Sequence, residues 1–272
     1  MRQLHLFTIG TSILTNFERK YPKFLEKLGY QNIGRLPPDH PLQEKIMGSA
    51  HKGNILFDKL YGFVKEDPER ASAELNAFLK FQSLYGYNRP GETEIGLYTT
   101  DTGSGWLCGR LIYTYLKENG YVLNEPVRVR DFGLGYNFFD SALLNLIDNF
   151  SKIIFSKRRK GYRIYVNVTA GFKPETCFTT IISLLFGVDK IYYIHESFHE
   201  IVVIPAVPLS IDREFLKMID IDGSPVYWVK EKYGEKILEE LDRKGLIYEK
   251  SGKIFLRKWV KRLMVIWENE KQ

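Results

Sequence analysis

The chain of 272 residues has only two cysteines, Cys108 and Cys177. That is too few for a disulfide framework, and neither stands in a spacing that could hold zinc. A reducing, cytoplasmic setting is therefore expected. Both cysteines lie in apolar helical patterns and read as core. No apolar run approaches bilayer-spanning length, and the first twenty residues lack the pattern of a secretory leader. No long block of like charge marks a tail: Lys157-Arg158-Arg159-Lys160 is only four residues and reads as a helix end. Neither a G-K-[ST] phosphate loop nor a G-x-S-x-G nucleophile elbow occurs. What is present is 44% apolar residues, enough for a full-sized core, and a net charge of +6 with a pI near 9.0. Such a balance permits an anionic partner without requiring one.

Strand-like runs at residues 4–9, 95–99, 127–129, 163–168, 191–194 and 201–204 alternate with helical patterns over 17–28, 42–65, 68–85, 106–119, 137–156 and 176–187. This alternation predicts an α/β domain, a mostly parallel sheet with helices on both faces, whose last two strands form a hairpin. Pro205-Ala206-Val207-Pro208 marks a boundary, giving domains over 1–208 and 209–272. The second reads as helices followed by a hairpin turning at Ser251-Gly252, a winged-helix-like pattern. The helix before that hairpin sets Glu235, Glu239, Glu240 and Asp242 against Lys236, Arg243 and Lys244. An acidic face is a poor surface for DNA.

In open parallel sheets, ligands bind beyond the carboxyl ends of the strands. Three strand-end loops, 10–16, 100–105 and 169–173, are rich in small polar residues and are expected to converge on one crevice. The candidate ligand contacts are Gly10, Thr11 and Asn16 in the first loop and Asp101, Thr102 and Gly103 in the second. In the third they are Thr169, Gly171 and Phe172. The third loop is the most informative. Asn167-Val168-Thr169-Ala170-Gly171-Phe172-Lys173-Pro174-Glu175 follows a strand and precedes an apolar helix. Pro174 suits the first helical turn, and Glu175 suits the positive end of the helix dipole. Helix N–H groups beside Lys173 would make an anion site. The plain alternative is a solvated lysine at an ordinary strand–helix turn.

Other motifs weaken on inspection. His195-Glu196-Ser197-Phe198-His199 matches H-E-x-x-H, but zinc chemistry needs that pentapeptide on a helix, and here it lies between two strand-like runs. Gly103-Ser104-Gly105 with Cys108 approaches the dinucleotide fingerprint, but the third glycine is missing. Arg35 and His40 have an R-x4-H spacing, but Pro37 and Pro38 between them oppose a helix. No metal and no cofactor is expected.

Thr8-Ile9-Gly10-Thr11-Ser12-Ile13-Leu14-Thr15-Asn16, Leu97-Tyr98-Thr99-Thr100-Asp101-Thr102-Gly103 and the 167–175 stretch resemble motifs of the CRISPR-associated ring nucleases of type III systems. Tyr192-Tyr193-Ile194-His195-Glu196 followed by Ile204-Pro205 is similar to the same family. The resemblance covers roughly residues 1–208. Ala170 stands where the family's third motif usually has a second glycine. The resemblance implies a Rossmann-like CARF domain and a homodimer. It also implies binding of cyclic tetra-adenylate and its metal-independent linearisation, which switches off antiviral signalling. It carries the active roles to Ser12 and Lys173. Chemistry agrees: ribose brings its own nucleophile, the 2′-hydroxyl, so an enzyme need only align it and stabilise charge at phosphorus. The product would be di-adenylate with a 2′,3′-cyclic phosphate. The alternative is a non-catalytic sensor of the same ring whose winged helix regulates transcription.

Overall fold

The structure, a computed structural model, describes residues 2–86, 89–170, 173–195 and 200–271. The chain divides into two compact units, Met1–Pro208 and Leu209–Gln272.

In the larger unit, β1 (Gln3–Ile9) leads into α1 (Ser12–Lys20) and α2 (Pro22–Lys27). Four more helices follow, α3 (Leu42–Gly48), α4 (Ile55–Glu66), α5 (Pro68–Ala71) and α6 (Ala73–Tyr85), before β2 (Thr93–Thr99). Next come α7 (Gly103–Glu118), two short strands β3 (Val122–Leu123) and β4 (Val127–Arg128), and α8 (Phe139–Arg159). The unit ends with β5 (Arg163–Asn167), α9 (Lys173–Leu185), β6 (Lys190–Ile194) and β7 (Ile201–Ile204). The sheet order is β3-β2-β1-β5-β6-β7, with β4 also on β2. Every pairing is parallel except the β6–β7 hairpin at the edge. This is the α/β, Rossmann-like arrangement expected. All seven residues of β1 are buried, as befits a central parallel strand covered on both faces.

Several helices are shorter or differently placed than their apolar spacing suggests. The first starts at Ser12 rather than near Phe17, because Ile13, Leu14 and Phe17 already form its buried face. It stops before Pro22, which opens α2. The pattern over 42–65 is two helices, broken where Gly53 takes a positive φ of 91° and Asn54 caps Leu56 N–H. The pattern over 68–85 divides at Ser72, whose hydroxyl caps α6. The strand expected at 127–129 is β4, and β3 at Val122–Leu123 is an additional one.

The smaller unit contains α10 (Arg213–Lys217), β8 (Ser224–Pro225), α11 (Val226–Tyr233) and α12 (Glu235–Arg243). The hairpin β9 (Ile247–Lys250) and β10 (Lys253–Leu256) and then α13 (Lys258–Lys271) complete it. Its three strands run in the order β8-β10-β9, all antiparallel. Leu238 and Leu241 of α12 are buried with Ile254, Leu256 and Met264; a three-residue spacing puts both leucines on one face.

β1 also carries His5 into the core of the larger unit. It is 0% exposed, ringed by Phe78, Phe81, Tyr165 and Tyr192, with Nδ1 3.0 Å from the Tyr192 hydroxyl. Burial lowers its pKa from the usual 6.5 to about 3, because a charged imidazolium would be desolvated. Between these values the unfolded chain binds the proton that the folded chain refuses. Stability therefore falls as pH drops from about 6.5 toward 3, by about 1.4 kcal/mol per unit. Urea midpoints between pH 7 and pH 5 should fall in the wild type, with a visibly flatter dependence in His5→Gln. Equal slopes in the two proteins would put the pH sensitivity elsewhere.

Candidate functional site

β1 and β5 are parallel neighbours, and the order of the chain reverses between them: β2 lies on one side, β6 on the other. At such a switch the loops leaving the two strands diverge, and a crevice opens beyond their carboxyl ends. The loop after β1 contains Gly10 and Thr11 and runs straight into α1 at Ser12. The loop after β5 runs through Thr169 toward α9, whose first residue is Lys173. The end of β1 is tied to the loop after β5, since the Thr8 hydroxyl donates to Ala170 O at 2.5 Å. Thr169 is a structural link: its hydroxyl donates to Asn167 Oδ1 at 2.6 Å and accepts from Ile194 N–H at 3.2 Å. Lys173 is exposed and has no ion-pair partner among the described residues. Gly171 and Phe172, both candidate contacts, lie outside the described residues.

Sequence reasoning missed Glu74. It lies in the first turn of α6 and is 0% exposed. Its carboxylate accepts from Gly10 N–H, from the Ser12 hydroxyl and from the Ser72 hydroxyl, each at 2.8 Å. Ser12 Oγ in turn accepts from Ala73 N–H at 3.1 Å. The glycine-bearing loop after β1, which reads as a phosphate cradle, therefore already holds an anion from its own chain. The carbonyl of Glu74 accepts from Asn167 Nδ2 at 3.0 Å, so one residue joins α6 to the ends of both β1 and β5. The charge of Glu74 and burial together push the Cys108 thiol up, with burial the larger cause.

The remaining candidate residues are engaged within the fold. Thr11 donates its hydroxyl to Gly34 O at 2.9 Å. Asn16 lies within α1, where its amide donates to Arg70 O and Ala71 O. In the loop after β2, Asp101 pairs with Arg128 at 2.8 Å and accepts from Asp131 N–H. Thr102 is buried and caps α7 through Gly105 N–H. Gly103 is a packing residue: a Cβ there would meet Gln43 O of α3 at 1.8 Å. At Gly105 a Cβ would meet the Thr100 hydroxyl at 2.0 Å. Close approach of α3 at Gly103 and of the preceding loop at Gly105 thus accounts for the Gly-x-Gly spacing.

Residues 69–207, just over half of the chain, match the model of a family described as CRISPR-associated protein (Cas_APE2256). The chain belongs to this CRISPR-associated family. The matched span contains Glu74, Asp101, Thr169 and Lys173 and leaves Gly10 and Ser12 outside it. Among solved structures, one from Silicibacter pomeroyi, assigned as a branched-chain amino acid ABC transporter, is 12% identical. The match covers 98% of this chain and 83% of that one, with a TM-score of 0.27; at that score the likeness carries no argument.

In this CRISPR-associated chain, no group of three or more His, Cys, Asp or Glu side chains could hold a metal ion among the described residues. No helix there is long and apolar enough to cross a membrane. His195 follows β6 and its N–H donates to Glu200 O; Glu196 to His199 lie outside the described residues. Cys108 is buried as expected, whereas Cys177 is exposed. The reason is helical spacing, because Cys177 is four residues from Lys173 and shares its outward face. Gly103→Ala should lower the urea midpoint by the equivalent of about 1–3 kcal/mol, as an added methyl forces α7 from α3. An unchanged midpoint would show that the α3 backbone can yield.

Proposed function

We propose that this CRISPR-associated protein is a metal-independent ring nuclease. It binds cyclic tetra-adenylate and cleaves it to di-adenylate ending in a 2′,3′-cyclic phosphate, removing the signal that the ring carries. The reading is carried by exposed Lys173, which has no ion-pair partner among the described residues, at the first turn of α9, and by Ser12 at the start of α1, which follows the neighbouring strand β1 across the switch in strand order. A helix N-terminus and an ammonium together favour a phosphodiester. Ring opening needs no outside nucleophile. The 2′-oxygen attacks the adjacent phosphorus, negative charge grows on the phosphoryl oxygens, and Lys173 meets that charge. The Ser12 hydroxyl holds the ribose so that its 2′-oxygen lies in line.

A ring of four nucleotides has two-fold symmetry, which suits a homodimer with two copies of each residue around it. Cys177 and Ile181, both exposed on the Lys173 face of α9, give this surface an apolar strip that a second copy could cover. A second reading, a ring-sensing regulator, draws on the smaller unit, whose helices and hairpin follow a winged-helix order. Its surface argues for weak DNA binding at most: Lys230, Lys232, Lys244 and Lys261 are paired with Glu235, Asp220, Glu240 and Asp222.

Single-turnover cleavage of cyclic tetra-adenylate in EDTA, alongside equilibrium binding, tests both readings. The wild type should release di-adenylate. Lys173→Ala should slow cleavage by about 10²–10³, roughly 3–4 kcal/mol, with most of the affinity kept, because the lysine acts mainly on charge that appears during attack. Wild-type protein that binds the ring intact would favour the sensor. Lys173→Ala cleaving at the wild-type rate would remove Lys173 from the chemistry.

A further inference from the structure

We propose that Glu74 is a positioning residue for ring cleavage. In this view it fixes Ser12 as a hydrogen-bond acceptor and takes up the 2′-hydroxyl proton through it. The inference rests on the cleavage reading and divides the labour within that site. A serine hydroxyl has one proton and two lone pairs. The proton of Ser12 is committed to Glu74 Oε2 at 2.8 Å, and one lone pair is committed to Ala73 N–H. Only one acceptor position is left. A phosphate oxygen, itself an acceptor, finds no donor there and faces a carboxylate behind the hydroxyl. A ribose 2′-hydroxyl can donate to that position. The loop after β1 is therefore the ribose side of the crevice, and Lys173 with the first turn of α9 is the phosphate side.

Ser12 is half-buried while Glu74 is fully buried, so a ligand reaches the hydroxyl and never the carboxylate. The three donors to Glu74 are a backbone N–H and two hydroxyls, none of them cationic. As the 2′-oxygen bonds to phosphorus, its proton passes to Ser12 Oγ while the Ser12 proton passes to Glu74. The bond from phosphorus to the 5′-oxygen breaks, and that oxygen takes a proton from the Lys173 ammonium. The proton on Glu74 returns through the Ser12 hydroxyl to solvent, and solvent reprotonates the Lys173 amine. No water is consumed, no covalent enzyme intermediate forms, and the protein ends unchanged.

Glu74→Gln, Glu74→Asp and the wild type should be compared by single-turnover cleavage of cyclic tetra-adenylate, equilibrium binding and thermal unfolding. Glutamine keeps an acceptor for Gly10 N–H but cannot take a proton. Cleavage by Glu74→Gln should fall by about 10²-fold or more while binding stays within about threefold of wild type, and Glu74→Asp should recover part of the rate. Wild-type cleavage should also slow in heavy water, a readout that needs no variant to fold. The proposal is overturned by a Glu74→Gln rate within about threefold of wild type, or by a loss of rate matched by an equal loss of binding. It is also overturned by a wild-type rate indifferent to heavy water. Wild-type protein that leaves the ring intact refutes the cleavage reading itself, an outcome distinct from active wild type with an equally active Glu74→Gln.

Discussion

A carboxylate removed from water must be met by hydrogen-bond donors, and Glu74 meets three at 2.8 Å inside the larger unit. Hydrogen bonds to a charged group contribute about 1.5–3 kcal/mol each, and losing one donor leaves the charge partly unsatisfied. The donors come from the loop after β1, the first residue of α1 and the Ser72 cap of α6. Each must be where it is for the carboxylate to be tolerated. The Asn167 amide on the Glu74 carbonyl brings the end of β5 into the same arrangement. The ends of β1 and β5 are thus framed by a constraint on solvation, the need to satisfy one buried charge.

That constraint also explains the asymmetry of the site. In many α/β proteins a glycine-bearing loop after the first strand receives a ligand phosphate on its N–H groups. Here Gly10 N–H is given to Glu74, so the position is electrostatically closed to a second anion. Positive potential is left to the other loop, where Lys173 opens α9 with no ion-pair partner among the described residues. One of two neighbouring strand ends thereby carries a buried carboxylate and the other leads to an exposed lysine.

The alternation of strands and helices was legible because β1, β2, β5 and β6 are compact apolar runs bounded by polar loops. The breaks inside the helical stretches were less so. Gly53 and Asn54 are recognisable turn residues, but apolar spacing continues on both sides and hides the interruption. The loop after β2 admits two readings for a different reason. Asp101, Thr102 and Gly103 are the residue types that cradle a ligand, and the same types cap a helix and allow a close backbone approach. Composition cannot separate those uses; the packing use is visible in the approach of α3 to Gly103. Glu74 was not legible at all. An acid two places after Ser72 reads as a first-turn residue favoured by the helix dipole. Its meeting with Ser12 depends on α6 reaching the end of β1, a tertiary fact with no local signature.

The strand order has a consequence for synthesis. β1 is flanked by β2 and β5, so the middle of the sheet joins the start of the chain to residues near position 163. Ser12 and Lys173 are separated by 161 residues of sequence (173 − 12). At about 5–20 residues per second, the ribosome takes roughly 10–30 s to deliver the second after the first. Through that interval β1 has at least one open edge, with backbone N–H and C=O groups unpaired on the side that β5 later fills. Such an edge can recruit a foreign strand. The nascent chain is most exposed to misassembly at the strand that finally becomes its most protected, and chaperone demand during translation should be greatest before β5 emerges.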